Sequence, residues 1–357
     1  MDIEKPILLI DKERVLKNIE RIGIKAKKNG VRFRPHFKTH QSAKVAEWFK
    51  DFTTTITVSS VDMAEYFASH GWKDITIAFP VNIRQIRAIN KLAKKINLHL
   101  LVESKESIIF LKNNLKAKAN VWIKIDVGSN RTGVLWNNFD YILELVQEIK
   151  TIEHLSFRGL LTHAGHTYKA KSKDEIEKIF RNTALQMKEV QNMLKQHGFT
   201  EVEISVGDTP SCAIVEDLNS VDEIRPGNFV FYDVMQLHIG SCSEEDIALA
   251  LACPVVAKHK ERNEIVVYGG AIHLSKEFIE PKNEPRLYGY IAVLEDNKWS
   301  PRIKNTYVSS LSQEHGLIKT DTDFFEKIQI GDILLVLPVH SCLTVNLMKN
   351  YEPKILL

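Results

Sequence analysis

The chain has 357 residues and a formal net charge of +3, with 48 basic and 45 acidic side chains spread along its length. That balance lacks the concentrated basic stripe of a nucleic-acid binder, and no stretch supplies the roughly 18 apolar residues that spanning a bilayer needs. The start, Met1 to Pro6, has no basic n-region or apolar run, and the four cysteines form no CxxC, so a soluble, cytoplasmic protein with free thiols and no disulfide framework is expected.

Strand and helix signals alternate from the start. The expected strands are Val31 to Arg34, Thr55 to Ser59, Ile75 to Phe79, Leu98 to Val102, Val121 to Asp126, Phe157 to Thr162, Glu203 to Val206 and Asp222 to Arg225. Helical stretches such as Ile83 to Ile96, Phe139 to Ile149 and Lys173 to His197 separate nearly all of them. Eight βα units over roughly 200 residues predict a (β/α)8 TIM-type barrel over residues 11–238. No glycine-rich dinucleotide fingerprint follows the first strand, which argues against an open doubly wound sheet.

After residue 238 the texture changes. Leu249 to Ala257, Glu264 to Tyr268, Tyr288 to Leu294, Ile303 to Ser309 and Ile333 to Val339 are short β-branched or aromatic runs between turns. They predict a C-terminal β domain of roughly 115 residues over 239–357, and residues 1–10 are expected to add a strand to one of the two domains.

The polar exceptions gather at the C-terminal ends of the barrel strands, where such barrels carry their chemistry. Val31 to Arg34 is stopped by Pro35, and Lys38 follows on a strand-to-helix loop between His36 and His40. A lysine so placed is either a solvated loop residue or a nucleophilic amine able to form a Schiff base. The fifth strand runs into Asp126-Val127-Gly128-Ser129-Asn130-Arg131-Thr132-Gly133, and the sixth into Thr162-His163-Ala164-Gly165-His166-Thr167-Tyr168. The seventh ends in Gly207-Asp208-Thr209-Pro210 and the eighth in Arg225-Pro226-Gly227-Asn228. Glycines and hydroxyls after the last two strands suit a phosphate, which free backbone N–H groups can hold. In the β domain, His340 and Cys342 in Pro338-Val339-His340-Ser341-Cys342 are two apart, so on a strand they would face one ion together. Imidazole with thiolate favours Zn2+ over Mg2+ or Ca2+, with substrate or water completing the shell, while a buried cysteine beside a hydrogen-bonded histidine is the plain alternative. His315, in Gln313-Glu314-His315-Gly316, is a third candidate near the metal.

Arg34-Pro35-His36-Phe37-Lys38-Thr39-His40, Asp126-x-Gly128-x-x-Arg131-x-Gly133, Gly207-Asp208-Thr209-Pro210, Glu223 to Asp233 and Pro338-x-His340-x-Cys342 occur together and in order. This set resembles the metal-dependent D-serine dehydratase and D-threonine aldolase family, a branch of the alanine racemase-like (fold type III) pyridoxal-phosphate enzymes, over essentially the whole chain. The resemblance implies that Lys38 holds pyridoxal 5'-phosphate as a Schiff base and that Arg131 contacts its phenolic oxygen. It places Tyr168 by the pyridine ring with His163 among the cofactor-binding residues. The resemblance further implies that Gly207, Asp208, Thr209, Gly227, Asn228 and Tyr232 surround the phosphate and that His340 and Cys342 bind Zn2+ or another divalent metal; His-x-Cys is similar to the dehydratase pattern, whereas the aldolases carry His-x-Asp. Gln313 departs from the glutamate frequent there, which bears on the metal's surroundings and on substrate choice. A homodimer is also implied.

The chemistry so implied is β-elimination from a β-hydroxy D-amino acid, D-serine giving pyruvate and ammonia, with Lys38 taking the Cα proton and the metal acting as Lewis acid at the β-oxygen. Retro-aldol cleavage of D-threonine to glycine and acetaldehyde uses the same parts. A 3-hydroxyaspartate dehydratase is a further alternative, for which Arg34, Arg84 and His315 are candidates to receive the second carboxylate. An amino-acid racemase leaves the metal pair without a task. A non-catalytic pyridoxal-phosphate-binding protein leaves the β domain unused, and a metal-dependent barrel hydrolase leaves the phosphate-type loops unused.

Overall fold

A computed structural model of the protein describes residues 2–282, 285–295 and 298–356. Its chain groups into two compact units: Glu20–Lys38 with Ser42–Gly227, and the residues up to Ile19 with Thr39–Gln41 and those from Asn228 onward. The chain thus changes unit four times, between Ile19 and Glu20, Lys38 and Thr39, Gln41 and Ser42, and Gly227 and Asn228.

The first unit is a parallel sheet of eight strands in sequential order, Arg32–Phe33, Thr55–Val58, Asp74–Pro80, Asn97–Val102, Ala119–Asp126, Leu155–Leu161, Glu203–Val206 and Glu223–Ile224. The last pairs with the first. On the first strand's other side, Thr57 donates to the Pro35 carbonyl at 2.9 Å and accepts from Phe37 at 2.9 Å, which closes the barrel. The first strand is short because Pro35 has no N–H to give, yet His36 resumes the ladder by donating to the Pro226 carbonyl at 2.8 Å. These eight strands are the ones the sequence predicts. Ser60 and Ser104 cap two of the intervening helices, Val61–Ser69 and Lys105–Asn114, through their hydroxyls, as the Ser-x-x pattern before each requires.

The barrel interior combines an apolar cluster of Leu101, Trp122 and Leu161 with a buried charged layer. Glu223, wholly buried, accepts from Arg34 Nε at 2.6 Å and from Ser205 Oγ at 2.7 Å. Arg34 also pairs with Asp74, whose neighbour His99 lies at 3.2 Å and accepts from Trp122 Nε1 at 3.1 Å. Arg225 donates to Ser205 Oγ at 2.7 Å and to the Thr162 carbonyl at 2.5 Å. Burial opposes ionisation of Glu223, but Arg34 and the Ser205 hydroxyl outweigh it and hold the carboxyl below its usual range. Arg34, expected among the candidates for a substrate carboxylate, is therefore consumed by the barrel: it is 2 % exposed and paired with the wholly buried Glu223 and the partly buried Asp74.

The second unit is an antiparallel sheet with one parallel edge. Its strands lie in the order Glu264–Tyr268, His315–Lys319, Tyr307–Leu311, Gly289–Ala292, Ile333–Pro338, Leu249–His259, Ile7–Asp11, Lys354–Leu356. The N-terminal strand pairs with Leu249–His259 and, in parallel, with the C-terminal strand. The run expected from Ile303 begins only at Tyr307, because Asn305 adopts φ 56° and turns the chain first. His315–Lys319 is a strand the sequence did not signal; its glycine and polar start hide a segment that pairs on both sides.

Candidate active site

In the barrel unit the strand ends place Lys38 on an exposed loop, its N–H 3.3 Å from His36 Nδ1. Asp126 organises the next loop: one carboxylate oxygen accepts the N–H groups of Gly128, Ser129 and Asn130 at 3.0, 2.8 and 3.2 Å. Gly133, at φ 113°, lets that loop fold back so that Val134–Leu135 pairs beside Ile125 and Asp126; a Cβ there would stand 2.8 Å from the Asp126 nitrogen. Arg131 rides this loop. His163 donates from Nδ1 to the Gly207 carbonyl, which leaves Nε2 as the bare nitrogen, and its ring centre lies 6.1 Å from that of Tyr168. Burial, then the charges of Lys124, Arg131 and Lys38, push the His163 imidazole well below its ordinary range, so it is neutral.

After the seventh strand, Asp208 caps the short helix Thr209–Ile214, accepting from the Ser211 N–H at 2.8 Å and from Thr167 Oγ1 at 3.0 Å. Its carboxyl is pushed up to about 6 by burial. Tyr168 Oη accepts the Thr209 N–H at 3.4 Å. The hydroxyls of Thr209 and Ser211 are buried without a partner, an arrangement that costs about 1–3 kcal/mol each unless a ligand supplies one. Gly207 precedes Thr209 by two residues at the end of the seventh strand, and Gly227 follows the eighth strand. Two orphaned hydroxyls beside glycine-bearing strand ends fit the phosphate of pyridoxal phosphate.

Lys124 belongs to the same unit and was not among the expected site residues. It is 5 % exposed on the fifth strand, and its ammonium makes no side-chain hydrogen bond among the described residues. Burial, then Arg225 and Arg131, lower its ammonium to about 7 against the weaker pull of Asp126 and Glu103. The signal was present: one lysine inside the apolar run Val121-Trp122-Ile123-Lys124-Ile125. Because an unfolded lysine keeps its proton to about pH 10.4, the unfolded chain binds more protons than the folded one above pH 7. Stability of the cofactor-free protein should therefore rise by about 2 kcal/mol from pH 7 to pH 9. Urea unfolding checks this against Lys124→Met, which should lack that part of the slope.

The second unit carries the other cluster. His340 and Cys342 do not sit together on a strand as their spacing suggests: the strand stops at Pro338, and His340 is the extended N-cap residue, φ −135° and ψ 99°, of the helix Ser341–Leu347. The break occurs because the buried Asp233 carboxylate accepts the Ser341 N–H at 3.0 Å and so stabilises a helix start there. The two side chains still meet, since Cys342 is a hydrogen-bonding neighbour of the His340 imidazole. Cys342 Sγ also lies 3.3 Å from Thr39 Oγ1, the residue that follows Lys38 in the chain. His340 Nδ1 lies 2.5 Å from Glu277 Oε2, a residue that no sequence motif marked.

Asn228 serves this cluster through its side chain. Its Nδ2 donates to Asp233 at 2.6 Å and to Ser341 Oγ at 3.1 Å and lies 3.6 Å from Cys342 Sγ. Tyr232 is buried at φ 48° and donates its N–H to the Asn228 carbonyl at 2.8 Å. His315 lies opposite Tyr268 on its strand, and no group of three or more His, Cys, Asp or Glu side chains is arranged to hold an ion among the described residues. His315 is thus not a third ligand here, and the imidazole and thiolate fit a metal as a pair whose shell water or substrate completes.

The comparisons with known proteins follow the same two-part division. Residues 10–234 match the alanine racemase N-terminal domain family, and residues 248–352 match a serine dehydratase domain. The chain belongs to the alanine racemase-like family, in its serine dehydratase branch. It is a pyridoxal-phosphate-dependent lyase. It is 28 % identical to a D-serine dehydratase of Dictyostelium discoideum, over 98 % of this chain and 93 % of that one. The solved D-threo-3-hydroxyaspartate dehydratase of Delftia sp. HT23 superposes with a TM-score of 0.89 at 26 % identity, over 96 % of this chain and 92 % of that one. A cysteine-to-alanine mutant of that dehydratase is described as metal-free. Among the described residues no helix is long and apolar enough to cross a membrane.

Proposed function

We propose that the protein eliminates water from D-serine and releases pyruvate and ammonia, using pyridoxal 5'-phosphate held by the barrel unit and Zn2+ held by His340 and Cys342. When bound, pyridoxal phosphate supplies an electron sink for the Cα carbanion, and Zn2+ supplies a Lewis acid for the leaving β-oxygen. Lys38 Nζ would hold the cofactor, and its amine would serve as the base for the Cα proton. Thr209, Ser211, Gly207 and Gly227 hold the phosphate, and Asp208 keeps the Thr209 turn in shape. His163 with Nδ1 fixed on Gly207 offers its neutral ring edge to the cofactor side of the site, where Tyr168 is also placed. Arg131, carried on the Asp126-anchored loop, would contact the phenolic oxygen. Asn228 steadies Cys342 within the second unit.

The observation that carries the reading is the His340–Cys342 pair beside Thr39, in a chain whose barrel ends its first strand with Lys38. A thiolate at the second ligand position and full-length similarity to D-serine dehydratases favour elimination over retro-aldol cleavage. Withdrawal of Arg34 into the barrel removes one of the three side chains that could receive the second carboxylate of 3-hydroxyaspartate, which D-serine does not need. The test is pyruvate release from D-serine by the cofactor-loaded protein, before and after chelation and with Zn2+ restored. Chelation, or Cys342→Ala, should lower the rate at least about a hundredfold, in line with the several kcal/mol a Lewis acid contributes. Glycine and acetaldehyde from D-threonine, without pyruvate from D-serine, would overturn the proposal. A cytoplasmic homodimer is part of the same reading, and light scattering at micromolar concentration should return twice the chain mass.

A further inference from the structure

We propose that Glu277 is a positioning residue for the metal: it accepts the Nδ1–H of His340 and so reserves Nε2 as the nitrogen that binds the ion. The inference rests on the reading that His340 and Cys342 hold Zn2+. A ligating imidazole offers one bare nitrogen, and which one is bare is set by the hydrogen bond the other makes. With Oε2 of Glu277 2.5 Å from Nδ1, the proton is held on Nδ1.

The chain is built to bring Glu277 there. Ser275 ends the short helix Ala271–Leu274 at φ 69° and ψ 177°, a conformation nearly confined to glycine that costs about 1–3 kcal/mol in other residues. Its N–H donates to the Ala271 carbonyl at 2.9 Å, and its hydroxyl accepts the Glu277 N–H at 3.2 Å, which fixes the turn that redirects the chain towards His340. Thr344 ties the two segments together: its hydroxyl donates to the Leu274 carbonyl at 3.4 Å and the His340 carbonyl at 3.1 Å. Beyond Glu277, Arg286 stacks over Phe278 at 4.1 Å, and Ile279 exchanges backbone bonds with Leu287.

Stability alone does not account for this arrangement. The Glu277 and His340 side chains are 42 % and 29 % exposed, and an ion pair so open to water contributes about 0–1 kcal/mol, less than the strain at Ser275. Orienting a metal ligand is a task that such a contact performs well, because outer partners of ligating histidines change metal affinity about 10- to 100-fold.

The test uses the full-length protein loaded with pyridoxal phosphate, stripped of metal and titrated with Zn2+ against a chromophoric chelator. Glu277→Ala should weaken Zn2+ binding about 10- to 100-fold. Glu277→Gln, whose side-chain carbonyl oxygen still accepts Nδ1–H, should recover most of that loss. In the Co2+-loaded protein, Glu277→Ala should shift the ligand-field bands while Glu277→Gln keeps them. Wild-type Zn2+ affinity and Co2+ spectrum in Glu277→Ala would overturn the inference. Cys342→Ala separates the two failures: if it weakens binding and Glu277→Ala does not, only the role of Glu277 falls. If neither changes binding, the metal site itself falls and the inference with it.

Discussion

Lys38→Ala should abolish pyruvate release from D-serine, by at least about 10^4-fold, and remove the visible absorbance of the covalently held cofactor. The magnitude follows from two losses at one atom. General-base catalysis by a placed side chain is worth about 10^2 to 10^4, and the covalent attachment that presents the cofactor to the incoming amine disappears with it. Only the first loss can be supplied from solution. A small primary amine added to Lys38→Ala should therefore restore part of the rate with saturation in the amine, whereas a tertiary amine should restore much less. The hydroxyls of Thr209 and Ser211 are untouched by the substitution, so the variant should still bind pyridoxal phosphate, reversibly and more weakly. A variant that retained wild-type turnover would remove Lys38 from the reaction and leave Lys124, the buried amine of the fifth barrel strand, as the residue to examine.

Much of this was legible in the chain because parallel barrel strands, buried on both faces, announce themselves as short apolar runs. All eight were placed within a residue or two, and Lys38, Asp126, Asp208 and Gly227 fell at their ends. What escaped has physical reasons. The His-x-Cys spacing has two readings, and the one realised depends on Asp233, more than a hundred residues earlier, accepting the Ser341 N–H. Glu277 sits after a strained serine in a loop, where no periodicity marks it. Arg34 reads as a cation next to the active lysine, yet its fate is decided by Glu223 and Asp74 on strands distant in sequence. Local pattern locates elements, while the pairing of charges is a property of the closed barrel.

That closed barrel makes the second large effect a matter of stability. Glu223→Ala should destabilise the protein by about 3–5 kcal/mol, the cost of removing one partner from a buried ion pair and leaving the other charge in place. Here the stranded charge is Arg34, whose remaining acid Asp74 is partly exposed, and Ser205 loses its acceptor at the same time. Glu223→Gln should cost less, because the amide oxygen can still accept from Arg34 Nε while only the charge is lost. Replacing the pair together, Glu223→Leu with Arg34→Met, should recover most of the loss, since apolar residues of similar volume do at least as well in such positions. Urea unfolding followed by tryptophan fluorescence, to which the buried Trp122 contributes, reads all four proteins in one experiment. A cost below about 1 kcal/mol for Glu223→Ala would mean that water enters the barrel and solvates Arg34. The expected loss also reaches the cofactor: Arg225, Pro226 and Gly227 continue the strand that Glu223 begins, and Arg225 is held by the same Ser205 hydroxyl that donates to Glu223. Pyridoxal phosphate should therefore dissociate faster from Glu223→Ala than from Glu223→Gln, in the same order as their stabilities.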